Sequence, residues 1–263
     1  MKEANLSELL GGANTEKFRP VVFWSLNSEL DENELIRQIR EMKSYGLGGF
    51  ILHARAGLKT EYLSEEWFYY AGVCLAEAKR LNLQVWIYDE FGWPSGFAGG
   101  KLLAEKENRA RYLEYEVRDR FDDSAYAVYA VSDGAVRLLK AGESAPAYHT
   151  LYLRYSDAYV DILDSVVTEK FISATHEKYY ERFATSFGRE LRGFFTDEPQ
   201  YYRYATPISA VTEKEYLAAY GENMKEGLLY LFLQSEKGYS FRVKYYNLMN
   251  RLYCENFYVK LYD

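Results

Sequence analysis

An α/β fold built around a parallel sheet is what this sequence predicts, and three observations predict it. Continuous apolar runs such as Val85 to Tyr88 alternate with capped helical patterns over the first ninety residues. Such runs suit strands covered on both faces, and strand–helix repetition suits parallel pairing. Two of the runs also end alike. Tyr88-Asp89-Glu90 leads into Gly92-Trp93-Pro94-Ser95-Gly96, and Phe195-Thr196-Asp197-Glu198 leads into Pro199-Gln200. Acids at strand ends, followed by residues that break the strand, gather carboxylates at one mouth of the fold.

The elements follow in order. Residues 1–19 read as an N-terminal arm, and 20–263 as one barrel-like domain. Pro20 to Ser25 is a short strand. Asp31 opens a helix, with Glu34 three residues on as a capping box, and Leu35, Ile39 and Met42 form its buried stripe. Gly46 ends it, and Gly48-Gly49 leads into the strand Phe50 to His53. Ser64 caps the next helix, whose inner face is Trp67, Ala71, Cys74 and Ala78. Strand 85–88 follows, and 100–111 is expected to be helical.

The pattern then changes. Residues 112–117, 125–131, 135–139 and 150–155 are strand-like, with Ser132-Asp133-Gly134 as a turn. The stretch 112–157 is therefore expected to be a small antiparallel insertion in a βα loop. The rhythm resumes with a core strand at Tyr159 to Leu163, a helix over 165–187, a strand over 193–196 and a mostly helical stretch over 212–262. Five core parallel strands are fewer than the eight of a closed barrel. The fold class is thus a (β/α)8 TIM-type barrel in incomplete form, its N-terminal part, with the remaining strands expected in a longer chain.

Composition narrows the function. A chain of 263 residues with 48% hydrophobic content can bury one large core or two small ones. No run approaches the roughly 20 apolar residues of a membrane span. The segment Met1 to Leu10 carries acids and no long apolar region, so it does not read as a signal peptide. Cytoplasmic is the default location, and a secreted form stays open if a leader precedes this sequence. Cys74 and Cys254 lie in helical patterns, far apart and without metal-ligand spacing, and read as core thiols rather than a disulfide. Net charge is −7 with dispersed basic residues, which argues against a nucleic-acid partner. Most of the 27 tyrosines fit a core or surface, but aromatic residues at strand ends suit stacking on a pyranose.

The candidate catalytic residues are Glu198, Asp197, Glu90 and Asp89. Glycoside hydrolysis needs one carboxyl to protonate the leaving oxygen and another to attack or to activate water. Pro199 stops the strand directly after Glu198, so Glu198 is the leading general acid, expected in a buried or carboxylate-flanked setting. Its alternative role is to cap a helix or to pair with an arginine. Strand alternation turns one member of each Asp-Glu pair away from a shared pocket. Asp89 and Glu90 have the further alternative of holding the Gly-Trp-Pro-Ser-Gly turn by bonds to backbone N–H groups. The candidate substrate-binding residues are Trp24, His53, Arg55, Tyr88, Trp93, Asp161 and Gln200. Trp24 and Trp93 would stack on a sugar or fill the core. His53 and Arg55 would bind hydroxyls or form a rim ion pair. Asp161 would face the pocket or bind arginine. His149 and His176 carry no motif and read as structural. The sequence requires no cofactor. Oxygen and nitrogen ligands are present, but no His-x-x-x-His or Cys-x-x-Cys spacing is, and no phosphate-binding glycine motif appears.

Several runs together carry a resemblance. They are Phe23-Trp24, Gly48 to Leu58, Tyr62 to Phe68, Trp86 to Gly100 and Gly193 to Pro199. In these the chain resembles bacterial glycosyl hydrolase-like proteins related to the α-L-rhamnosidases of glycoside hydrolase family 106. The resemblance spans residues 18–262. It implies a (β/α)8 catalytic barrel followed by β-sandwich domains, a carbohydrate substrate and calcium as a possible cofactor. It does not assign the calcium ligands residue by residue. Three function classes follow: a glycoside hydrolase, a non-catalytic carbohydrate-binding fragment or pseudoenzyme, and a metal-dependent sugar lyase or isomerase with ligands around His53.

Overall fold

Residues 18–201 and 206–262 are described by a computed structural model of the chain. The arm expected over 1–19 lies outside the described residues except for its last two positions. In chain order the main elements are β1 (Val21–Leu26), α1 (Glu32–Ser44), β2 (Gly49–Ala54), α2 (Glu65–Leu81), β3 (Gln84–Tyr88), β4 (Arg109–Arg118), β5 (Ala127–Ser132), β6 (Ala135–Leu138), β7 (Tyr148–Val160), α3 (Ser165–Ala174), α4 (His176–Phe183), β8 (Leu191–Phe195), β9 (Pro207–Ile208), α5 (Thr212–Tyr220) and α6 (Tyr239–Tyr253). They fall into two compact units. The first holds the described residues up to Gly99 together with Phe171–Pro199, and the second holds Gly100–Lys170 with Gln200 onward.

The first unit is a four-stranded sheet in the order β1-β2-β3-β8, parallel throughout. Its helices form where the sequence places their caps. The Asp31 carboxylate accepts from the Glu34 N–H at 2.9 Å, and the Ser64 hydroxyl accepts from the Trp67 N–H at 3.2 Å. Each such cap is worth about 1 kcal/mol. The capping box at Asp31 is only half made, because Glu34 turns to Arg37 and Gln38 instead of reaching back. Leu35, Ile39, Trp67, Ala71, Cys74 and Ala78 pack with Phe50, Leu52, Val85 and Ile87 into one core. The indole N–H of Trp67 is satisfied inside it by the Tyr179 hydroxyl at 2.7 Å. Gly49 is dictated by contact: a Cβ there would lie 2.0 Å from the Gln84 carbonyl oxygen.

The second unit is a five-stranded antiparallel sheet in the order β6-β5-β7-β4-β9. The β5–β6 hairpin turns on Asp133 and Gly134, both at positive φ, as a two-residue loop of the primed kind requires. Leu113, Tyr129, Leu151, Tyr216, Tyr245, Leu248 and Met249 form its core. The strand-like stretch expected over 112–157 is thus real, but the compact unit containing it is wider than that stretch.

Four expectations change. The parallel sheet has four strands rather than five, because residues 159–160 end the long antiparallel β7 and Asp161–Leu163 form no strand. A closed barrel is not what the described residues form. Residues 100–111 are not one helix but two short 3-10 turns that run into β4. The Asn108 amide donates to the Leu102 carbonyl at 3.0 Å and stabilises that turn in place of a helix. The helix expected over 165–187 breaks into α3 and α4 at Thr175, which leaves helical dihedrals at φ −122 and ψ −77. Its hydroxyl donates back to the Phe171 carbonyl at 2.7 Å, a local bond that competes with the helical ladder. Finally, Cys254 is exposed rather than a core thiol, while Cys74 is buried as expected.

Candidate active site

All of the site described here lies in the first unit, at the C-terminal ends of its parallel strands. Register places Ser25 beside His53 and Tyr88 beside Phe195. One face of the sheet therefore presents Phe23, His53, Tyr88 and Phe195, since alternate residues share a face. The His53 and Tyr88 rings stack at 3.6 Å with 17° between planes. Phe23 stands edge-on to Phe195 at 5.0 Å and is 53% exposed. Of these rings Phe23 is exposed and Phe195 half-buried, while His53 and Tyr88 are buried.

Trp24, expected at the site, points the other way. It is 8% exposed, packs edge-on against Phe50 at 5.1 Å, and donates its indole N–H to Gln38 at 2.9 Å. Its neighbour Phe23 takes the outward position. Trp93 is 44% exposed in the loop after β3. Arg55 is exposed just beyond β2, within electrostatic reach of His53 and Tyr88. His53 itself is buried, and its Nε2 faces the Gly92 carbonyl at 3.3 Å. Burial pushes its pKa down, the Gly92 carbonyl and Asp197 pulling the other way.

The four acids divide sharply. Glu90 is fully buried, and both of its oxygens are occupied by backbone donors. One accepts from the N–H of Phe91 at 2.8 Å and from that of Gly99. The other accepts from Gly96 at 3.1 Å, Phe97 at 2.9 Å and Ala98 at 2.8 Å. Burial pushes its carboxyl up to about 7, opposed by these N–H groups. Every partner is a donor, so the loop presents the Glu90 oxygens with N–H groups alone. Glu90 closes the loop onto itself and does not reach a ligand.

Asp89 is also fully buried. Its Oδ1 accepts from the Ser95 hydroxyl at 2.6 Å, and its Oδ2 accepts from the Thr196 hydroxyl at 2.5 Å and faces His176 Nε2 at 3.3 Å. Ser95 passes the connection on. Its hydroxyl accepts from the Asp197 N–H at 2.8 Å, and its own N–H donates to the Asp197 carbonyl at 2.9 Å. The two Asp-Glu pairs thus meet at one end of the sheet, but Asp89 and Glu90 support the site from beneath and do not line a shared concavity.

Asp197 and Glu198 are the acids that remain open. Asp197 is half-buried, with Oδ2 accepting from the Tyr88 hydroxyl at 2.7 Å. Glu198 is exposed, so the burial expected around a general acid is not there. Its φ is +39, a conformation that a non-glycine residue adopts at a cost of order 1–3 kcal/mol and that concentrates at functional sites.

Asp161 and Gln200 belong to the second unit. Asp161 is not on a parallel strand. It is buried, and its Oδ2 accepts from the Ser209 hydroxyl at 2.8 Å and the Ala210 N–H at 3.2 Å. Burial pushes its carboxyl up to about 6, against those two donors. The Gln200 N–H donates to the Tyr159 hydroxyl at 3.2 Å. Sequence reasoning missed Phe23, Phe195, Ser95, Thr196 and His176. Strand alternation could have found Phe23 and Phe195. No local signal ties His176 to Asp89.

No group of three or more His, Cys, Asp or Glu residues that could hold a metal ion occurs among the described residues. A calcium ion on Asp89 or Glu90 would have to displace O–H and N–H donors whose hydrogens point at the carboxylate oxygens, so the implied calcium does not fit these acids. No described helix is long and apolar enough to cross a membrane.

A parallel α/β sheet with paired acids and aromatic rings at its C-terminal rim is the class of site described. No protein-family model matches the sequence, and no curated protein does. Among solved structures the chain is similar to a rhamnosidase from Novosphingobium sp. PP1Y, with a TM-score of 0.63 at 10% identity. The likeness covers 98% of this chain and 46% of that one, so the chain spans about half the length of the rhamnosidase it matches. At that identity the likeness is one of fold.

Proposed function

We propose that this chain carries part of the active site of a glycosidase that cleaves O-glycosidic bonds of oligo- or polysaccharides by carboxylate acid/base chemistry. The observation that carries the reading is the pair Asp197–Glu198. The first is held by Tyr88, and the second is exposed in a strained backbone just past the strand that carries Phe195. In this reading Glu198 donates a proton to the glycosidic oxygen, Asp197 is the second carboxylate, and Phe23 and Trp93 take the sugar face. The fold likeness to a rhamnosidase supports it and suggests a rhamnoside as the first substrate to try.

Wild type and Glu198→Gln should be compared on an unactivated rhamnoside and on an aryl rhamnoside. Positioned proton transfer is worth roughly 10²–10⁴-fold. The variant should lose that much on the first substrate and less on the second, whose leaving group needs little protonation, with an unchanged melting temperature. Equal loss of rate with a collapsed melting temperature would instead make Glu198 structural.

A second reading, carbohydrate binding without hydrolysis, is favoured by one observation. Asp89 and Glu90 are buried and engaged, which leaves a single Asp-Glu pair facing outward at these strand ends. Saturable sugar binding by calorimetry with no turnover on either substrate would select it. The lyase or isomerase alternative needs ligands around His53, whose Nε2 is turned to the Gly92 carbonyl.

A further inference from the structure

His176 lies outside every motif in the sequence, yet it closes a buried chain of polar contacts that ends at Asp197. Its ring packs edge-on against Phe194 at 4.3 Å and Phe171 at 5.3 Å. Its two nitrogens face oxygens: Nδ1 is 2.9 Å from the Thr175 hydroxyl, and Nε2 is 3.3 Å from Asp89 Oδ2.

Asp89 accepts from the Ser95 and Thr196 hydroxyls, and the ring nitrogen that faces its Oδ2 is the donor, so Nε2 carries a hydrogen. His176 thus gives the buried Asp89 carboxylate a third side-chain partner.

We propose that His176 is a positioning residue for this site. Donating from Nε2, it holds the Asp89 carboxylate in place, which orients the Ser95 hydroxyl, which in turn fixes the backbone of Asp197 under the Tyr88 hydroxyl. The chain runs His176, Asp89, Ser95, Asp197, and each link but the first is at most 2.8 Å. Its bearing on catalysis rests on the glycosidase reading above. The hydrogen bond from Nε2 to Asp89 does not.

Two measurements test it. Nitrogen-15 NMR of the wild-type protein should show a hydrogen on His176 Nε2. A bare Nε2 overturns the hydrogen bond to Asp89, and this arm needs neither a variant nor activity. On an aryl rhamnoside, His176→Gln should lower kcat by about tenfold or more, as misplacement of a reacting group does, with KM within about twofold. Asp89→Asn should do the same, and the double variant should lose no more than the worse single one, because both act through one chain. Losses that multiply, or a raised KM with unchanged kcat, overturn the positioning role. A wild-type protein that turns over no glycoside sinks the glycosidase reading and leaves the NMR result to decide His176.

Discussion

The Tyr88 hydroxyl donates to Asp197 Oδ2 at 2.7 Å, joining the ends of two neighbouring parallel strands. That one bond separates Asp197 from the three other acids at these strand ends. Burial holds the Tyr88 hydroxyl far above its ordinary pKa, with Asp197 adding to the effect, so Tyr88 remains a donor. Tyr88→Phe keeps the ring stacked on His53 and removes only the hydroxyl. A hydrogen bond to a charged acceptor is worth about 1.5–3 kcal/mol. On the proposed glycosidase reading, turnover should fall by about ten- to a hundredfold with the melting temperature nearly unchanged, and steady-state kinetics beside calorimetry will show whether it does.

Glu90 makes a different prediction because it serves the loop and not the ligand. Glu90→Gln replaces an acceptor-only carboxylate with a group that turns an NH₂ toward converging N–H donors. Leaving buried N–H donors of this kind unmatched costs about 1–3 kcal/mol. Urea unfolding at neutral pH should register a loss of that size. A loss below about 1 kcal/mol would mean that the five backbone bonds do not set the loop.

Phe23 and Trp24 should give opposite results. Phe23→Ala removes an exposed ring, so stability should move by no more than about 0.5 kcal/mol. Sugar binding should weaken by about 0.5–1.5 kcal/mol if the ring stacks on the ligand. Trp24→Ala opens a core cavity and should cost about 3–5 kcal/mol of stability. Titration calorimetry and thermal unfolding of both variants separate the two roles, and equal effects of the two on binding would remove Phe23 from the site.

Asp161 predicts a pH dependence in the second unit. Its carboxyl is raised from the ordinary 3.8 to about 6 in the folded chain, first by burial. The folded state then binds the proton more tightly than the unfolded state. Its contribution is fully present below pH 3.8 and is lost as pH rises through about 6. A difference of about two pKa units corresponds to about 3 kcal/mol. Asp161→Asn keeps an oxygen for Ser209 and Ala210 and removes the charge, so it should flatten stability between about pH 4 and pH 6.5. If the variant shows the same pH slope as wild type, the residue responsible lies elsewhere.

Much of the first unit is legible in the sequence. Caps at Asp31 and Ser64, the stripes through Leu35 and Trp67, and the apolar runs at 50–53 and 85–88 are local patterns, and the helices and strands follow them. The hairpin at Asp133-Gly134 is local too. Parallel pairing follows from strand–helix repetition, and acids at the C-terminal strand ends follow from where the strands break.

What the tertiary structure alone decided is how each acid is used. Adjacent Asp and Glu residues read alike in sequence, yet Glu90 is enclosed by the N–H groups of its own loop, while Glu198 is left exposed. Partners determine the difference, and the partners of Asp89 come from Ser95, His176 and Thr196, up to 107 residues away. The choice of Phe23 over Trp24 depended on which face of β1 the helices cover. The strand at 159–160 joined the antiparallel sheet because β4 pairs with it, a long-range contact that an apolar run does not specify. Hydrophobic period and capping act over a few residues and can be read in order along the chain. Charge pairing and strand partnership are settled only when distant segments meet.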